Sequence, residues 1–304
     1  MTRLIPSALL TIALSFAQAP KLSDVEAAYN KLKEAEGRKD PDGVLEWAQK
    51  TSAAARQVTS QPKPAGGDAL EAWKRDTDYA AQVDTYTEYS MQASAQGAAP
   101  EKVIALTEAL EAQNPKSQYL GLVINVYLAA LQKTGQTAKI VPAAERRAAA
   151  DPNNEELLLV LADGYMNLKE PAKSIDYANR VVELMNTKAK PETVSDADWD
   201  KRKTTITGRG LFIAGVNYSI QNQYKESDKA LRAALPLVQS NPDLLGPALF
   251  YLGVANYNLA KPTKDKKLAG EAAKFCDQSA AIKNPFQDQA KKNAMIIRRE
   301  FLIK

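Results

Sequence analysis

The sequence predicts an all-α chain assembled from consecutive antiparallel helix pairs, and three observations carry that expectation. Apolar residues recur at three- and four-residue intervals almost throughout, the period of a helix with one buried face, and no segment alternates with a period of two. The composition agrees. Among 304 residues, 50 alanines stand against 14 glycines, a bias toward the strongest helix former and away from the residues of tight β-turns. Tyrosines at 127, 165, 218 and 257 lie 38, 53 and 39 residues apart, close to the size of a two-helix repeat. Such pairs cannot bury both faces alone, so they stack.

In chain order, the first element is an export signal. Arg3 precedes a charge-free stretch from Leu4 to Phe16, and Ser15 and Ala17 satisfy the small-x-small rule for cleavage before Gln18. The stretch is shorter than the ~20 residues that span a bilayer. Pro20 disfavours the later frame after Ala19, because proline restricts the backbone and lacks an N–H. Residues 1–17 are therefore expected to be removed, leaving a periplasmic or extracellular chain with no transmembrane span.

Residues 18–58 read as an N-terminal helical pair, with helices starting at Ser23 and Pro41. Thr59 to Gly67 carries Pro62, Pro64, Gly66 and Gly67 and is either a domain boundary or an exposed loop. A helical repeat array follows over residues 68–284. Leu120, Val123, Ile124 and Tyr127 pair with Ile140, Ala144 and Ala148. Leu158, Leu161, Ala162 and Tyr165 pair with Ile175, Ala178, Val182 and Met185 across Glu170-Pro171. Leu211, Ala214, Gly215 and Tyr218 pair with Ser227, Leu231, Ala234 and Val238, and Leu249, Leu252 and Gly253 pair with Ala269, Ala272, Ala273 and Cys276. Asn114-Pro115, Asp151-Pro152, Asn241-Pro242 and Asn284-Pro285 mark the seams, since a residue before proline leaves the helical region. Thr187 to Thr204 is an insertion that from Ser195 onward extends the next helix. Residues 285–304 close the array with a capping helix, apolar at Ala290, Ala294, Ile297 and Phe301.

The chemistry open to this chain is narrow. Histidine is absent, which removes histidine bases, Ser-His-Asp and Cys-His nucleophile pairs and the commonest zinc ligand. A single cysteine allows no intrachain disulfide. Forty Lys and Arg against 36 Asp and Glu give a formal charge of +4, too little for an electrostatic nucleic-acid binder. Gly208-Arg209-Gly210 lacks the third glycine and preceding strand of a dinucleotide loop. Asp196, Asp198 and Asp200 lack the glycine and glutamate of a calcium loop and suit a helix N-terminus. Asn217-Tyr218-Ser219 is a glycosylation sequon inside a predicted helix. Glu155 and Glu156 read as solvated acids, Trp47, Trp73 and Trp199 as helix contacts, and Cys276 as a buried thiol. No catalytic residue, metal or cofactor is expected.

The pattern apolar-x2-Leu-Gly-x2-Tyr, then Ala-x3-apolar, resembles the tetratricopeptide repeat. Leu249, Leu252, Gly253 and Tyr257 carry the nearest match, with Asn256 at the motif's usual tyrosine position. Leu158, Leu161, Ala162, Tyr165, Ser174 and Ala178 carry a second, and Leu211, Ala214, Gly215, Tyr218, Ser227 and Leu231 a third. The resemblance runs from about residue 86 to 284. It implies a right-handed superhelical α-solenoid that binds a peptide or protein partner in a concave groove, without catalysis. Carried onto this chain, it places Leu159, Asp163, Met166 and Asn167, then Phe212, Val216 and Ser219, then Phe250, Val254 and Asn258 in that groove. This set is mixed rather than basic. Two rival readings are a self-associating envelope protein and a carboxylate-based hydrolase of cell-wall material.

Overall fold

In the computed structural model, which describes residues 21–303, thirteen α-helices and one short 3-10 turn make up the regular structure, with no strand among the described residues. The expected signal segment lies outside the described residues. The chain divides into two compact units between Ala130 and Leu131, a division that falls inside a helix.

The first unit contains α1 (Leu22–Gly37), α2 (Pro41–Thr59), α3 (Gly67–Ala95), α4 (Pro100–Gln113) and the larger part of α5 (Tyr119–Lys133). Asp40 shows why α2 starts where it does: its carboxylate accepts from Gly43 N at 3.0 Å, and Pro41 occupies the first turn, where its missing N–H costs nothing. The stretch between α2 and α3 is a loop rather than a boundary, because the two helices pack on each other. Trp73 Nε1 ties it down by donating to the Gln61 carbonyl at 3.1 Å.

The second unit holds α6 (Ile140–Ala150), α7 (Glu155–Asn167), α8 (Pro171–Thr187), α9 (Asp196–Ile220), α10 (Tyr224–Val238), α11 (Pro242–Thr263), α12 (Lys266–Ala280) and α13 (Gln287–Phe301). Each helix packs on the next. The N-caps explain the seams. Asn154 accepts from Leu157 N at 3.2 Å, Ser195 from Asp198 N at 3.1 Å and Asn241 from Asp243 N at 3.1 Å, each satisfying an amide that the first helical turn leaves unpaired.

Small residues let the helices approach. A Cβ at Gly215 would lie 2.5 Å from Leu231 Cγ, and one at Gly253 would fall inside the radius of Cys276 Sγ. One hydrogen bond repeats at the same offset. Ser174 Oγ donates to the Ala162 carbonyl at 2.7 Å and Ser227 Oγ to the Gly215 carbonyl at 2.8 Å, each across 12 residues. Buried Asn217 then donates to Ser174 Oγ at 3.0 Å and buried Asn256 to Asp228 at 2.6 Å, each reaching back to the preceding pair. The sequon asparagine is thus a packing residue.

Glu155 corrects the expectation of a solvated acid. It is 3% exposed, and its carboxylate meets Lys188 Nζ at 2.5 Å and Arg202 at 3.0 Å. The reason is tertiary. The insertion after α8 returns over the start of α7, where Lys188 also donates to the Asn153 carbonyl at 3.1 Å. Trp199, on the extension of α9, is buried with Leu158, Val181, Met185 and Ile206.

Candidate functional site

Within the second unit, α7 approaches α9, α9 approaches α11 and α11 approaches α13, whereas among the described residues the backbones of α8 and α10, and of α10 and α12, stay further apart, the latter two being spanned by Arg232, which pairs with Glu271 at 2.8 Å and lies over the Phe275 ring. The first helices of successive pairs therefore approach one another more closely than the second helices do. Every sequence-assigned groove residue belongs to α7, α9 or α11.

The side chains divide by depth. Phe212 and Val216 are buried in a cluster with Ala162, Ala178, Ile213 and Leu231, and Leu159 and Met166 pack against that cluster. Ser219 is buried, and Asn167 is exposed. Phe250 stacks on Phe286 with centroids 4.5 Å apart and planes 7° apart, and meets Tyr251 edge to face at 5.3 Å. Phe212 and Phe250 are each 8% exposed, so they form the floor of the surface rather than free contacts. The cause is the close approach of the first helices, which covers the rings with the next helix or its preceding loop.

Asp163 supplies the charge on this surface. It pairs with Arg209 of α9 at 2.5 Å, a bond between first helices of successive pairs. Burial pushes the Asp163 carboxyl up from its ordinary value, and the Arg209 guanidinium only partly offsets this.

Val254 and Asn258 come together at a cavity of about 210 Å³, lined also by Gly253, Tyr257, Asn293, Ile296 and Ile297. Ile297 forms its back wall, while Ile296 is 45% exposed at the mouth. The Tyr257 hydroxyl donates to Glu300 at 2.6 Å and accepts from Lys261 at 3.4 Å. Arg209, Asn293 and Ile296 join this surface without having been evident as site residues from the sequence. Only the spacing of α13 could have exposed the last two, since Asn293 and Ile296 lie one turn apart beside its apolar stripe.

No three-residue group of His, Cys, Asp or Glu among the described residues has the arrangement of a metal site. No described helix is long and apolar enough to cross a membrane. Compared with known proteins, the chain matches no family model, and no curated sequence is significantly similar to it.

Proposed function

We propose that the chain is an exported, non-catalytic binding protein of the tetratricopeptide type, whose second unit forms a right-handed superhelical array. The array holds a peptide or protein partner against the surface shared by α7, α9, α11 and α13. One observation carries this reading: the backbones of the first helices approach one another more closely than those of the second helices, which between α10 and α12 meet through the Arg232 side chain, the arrangement that gives a solenoid a narrow inner and a wide outer side. That inner side combines a buried aromatic floor with half-buried Met166, Val254 and Asn258 and one ion pair, an amphipathic surface of the kind that recognises peptides.

The test is capture of the partner from an envelope fraction by the full tagged chain, with the bound protein identified by mass. Met166→Arg and Val254→Arg should abolish capture, and Lys229→Ala, at an exposed position of α10, should not. Capture that survives both arginine variants would move the site elsewhere. Export follows from the N-terminal sequence, and the mature chain should begin at Gln18. A secreted form that retains Met1 would overturn the cleavage and the localisation.

A further inference from the structure

We propose that the cavity between α11 and α13 is a subsite for one large uncharged side chain of an extended peptide, whose own backbone is held by Asn258 and Asn293. The inference rests on the reading of the second unit as a peptide-binding array, and adds the conformation and residue class of the ligand.

Size comes first. A dry cavity of about 150 Å³ accepts a benzene ring, so about 210 Å³ accommodates a side chain as large as leucine, methionine or phenylalanine. Charge comes next. The cavity is walled by Val254, Tyr257, Ile296 and Ile297, and none of its lining residues is ionised at neutral pH. Glu300 and Lys261 stand close by, but both bind the Tyr257 hydroxyl. A charged side chain entering here would lose water against walls that carry no ionised group, which is strongly unfavourable.

The two asparagines set the ligand's conformation. Asn258 Nδ2 donates to the Val254 carbonyl at 2.9 Å, and because a carbonyl only accepts, this fixes the amide and leaves Asn258 Oδ1 as an acceptor. Asn293 Oδ1 accepts from Gln289 Nε2 at 2.8 Å, leaving Asn293 Nδ2 as a donor. The cavity's polar side thus offers one acceptor and one donor. In an extended residue the N–H and C=O point the same way and match that pair, as in a β-ladder. A helical ligand has already spent both groups on its own i to i−4 bonds. An acyl chain would fill the cavity but offers no N–H.

The experiment is saturation-transfer NMR on the full chain, with N-acetyl-leucine N-methylamide and N-acetyl-phenylalanine N-methylamide as probes. Both should bind. The lysine analogue should bind at least about tenfold more weakly because its ammonium loses water against un-ionised walls, and the leucine probe methylated on its acetyl-side nitrogen at least about fivefold more weakly, having lost its N–H. Ile296→Trp, at an exposed position, should leave the melting temperature unchanged and remove the signal. Asn258→Ala should erase the difference between the leucine probe and its methylated form, an outcome that also identifies the bond if Ile296→Trp proves destabilising. No signal from either parent probe, equal binding by the lysine or methylated probe, or displacement by octyl glucoside that ignores Asn258→Ala would overturn the subsite. Partner capture that needs Met166 but neither Ile296 nor Asn258 would sink the subsite and leave the array reading intact. Probe binding at the cavity with capture indifferent to every first-helix residue would do the reverse.

Discussion

Gly253→Ala tests the packing of α11 on α12 more sharply than removal of a large side chain, because two terms of known sign oppose each other at one methyl group. The new Cβ would fall inside the radius of Cys276 Sγ and stand 3.2 Å from the Ala272 carbonyl oxygen. Overpacking of this kind costs about 1–3 kcal/mol. Replacing a mid-helix glycine by alanine returns about 1 kcal/mol. The single variant should therefore lose between about 0 and 2 kcal/mol. Cys276→Ala alone removes a fully buried sulfur and costs about 1 kcal/mol, near the value of one methylene. In the double variant the nearest obstructing atom is gone and only the 3.2 Å approach to the Ala272 carbonyl oxygen remains, so the alanine at 253 keeps its helical advantage without the main clash. The double variant should be at least as stable as Cys276→Ala, a favourable coupling of about 1–3 kcal/mol. Urea unfolding followed by far-ultraviolet circular dichroism, with midpoints compared at equal slope, reads all four corners of the cycle. Additivity to within about 0.5 kcal/mol would refute the contact between Gly253 and Cys276.

Glu155→Gln should destabilise by about 1–3 kcal/mol by replacing the buried carboxylate shared by Lys188 and Arg202 with an uncharged amide. Burial pushes the Glu155 carboxyl up, but Lys188 and its other donors outweigh this and hold it below the ordinary range. Its contribution is therefore present above the unfolded value of ~4.3 and lost as pH falls through the depressed folded value, so an acid titration of stability should be shallower in Glu155→Gln. Burial, with Asp277 adding to it, pushes the Cys276 thiol up to about 12, so iodoacetamide should leave it untouched in the native chain at pH 8 and label it fully in denaturant; rapid native labelling would mean the α11–α12 seam opens. The unfolded chain releases that proton above ~8.5, so stability should fall as pH rises past that value, with a smaller slope in Cys276→Ala. Phe212→Ala should cost about 3–5 kcal/mol of stability, measurable as a lowered urea midpoint, and a fully stable variant would show that the ring is not part of the floor.

Local signals were legible and return contacts were not. Asn241-Pro242 marks a helix start wherever the chain goes afterwards, because capping and proline geometry involve only adjacent residues. The capping helix was equally plain, since Ala290, Ala294, Ile297 and Phe301 all lie on one stripe and all are buried. Glu155 could not be read this way. Its burial depends on Lys188 and Arg202, which lie 33 and 47 positions further on, both within the insertion. Phe212 and Phe250 show the limit of a 3.6-residue period: it finds the apolar side of a helix, but not which part of that side the neighbouring helix covers. Asn293 and Ile296 fell just off the stripe, so a reading that sought only the buried face passed over them.

The docked extension of α9 bears on how an array of similar units avoids assembling out of step. Helix pairs that share packing residues can mispair by sliding one whole unit along, a characteristic failure of repeat proteins. Trp199 fits between Leu158, Val181 and Met185, and Arg202 finds Glu155, only when α9 lies beside α7 and α8 and not beside any other pair. The insertion therefore works as an index key, giving an otherwise near-periodic chain one joint that closes in a single alignment.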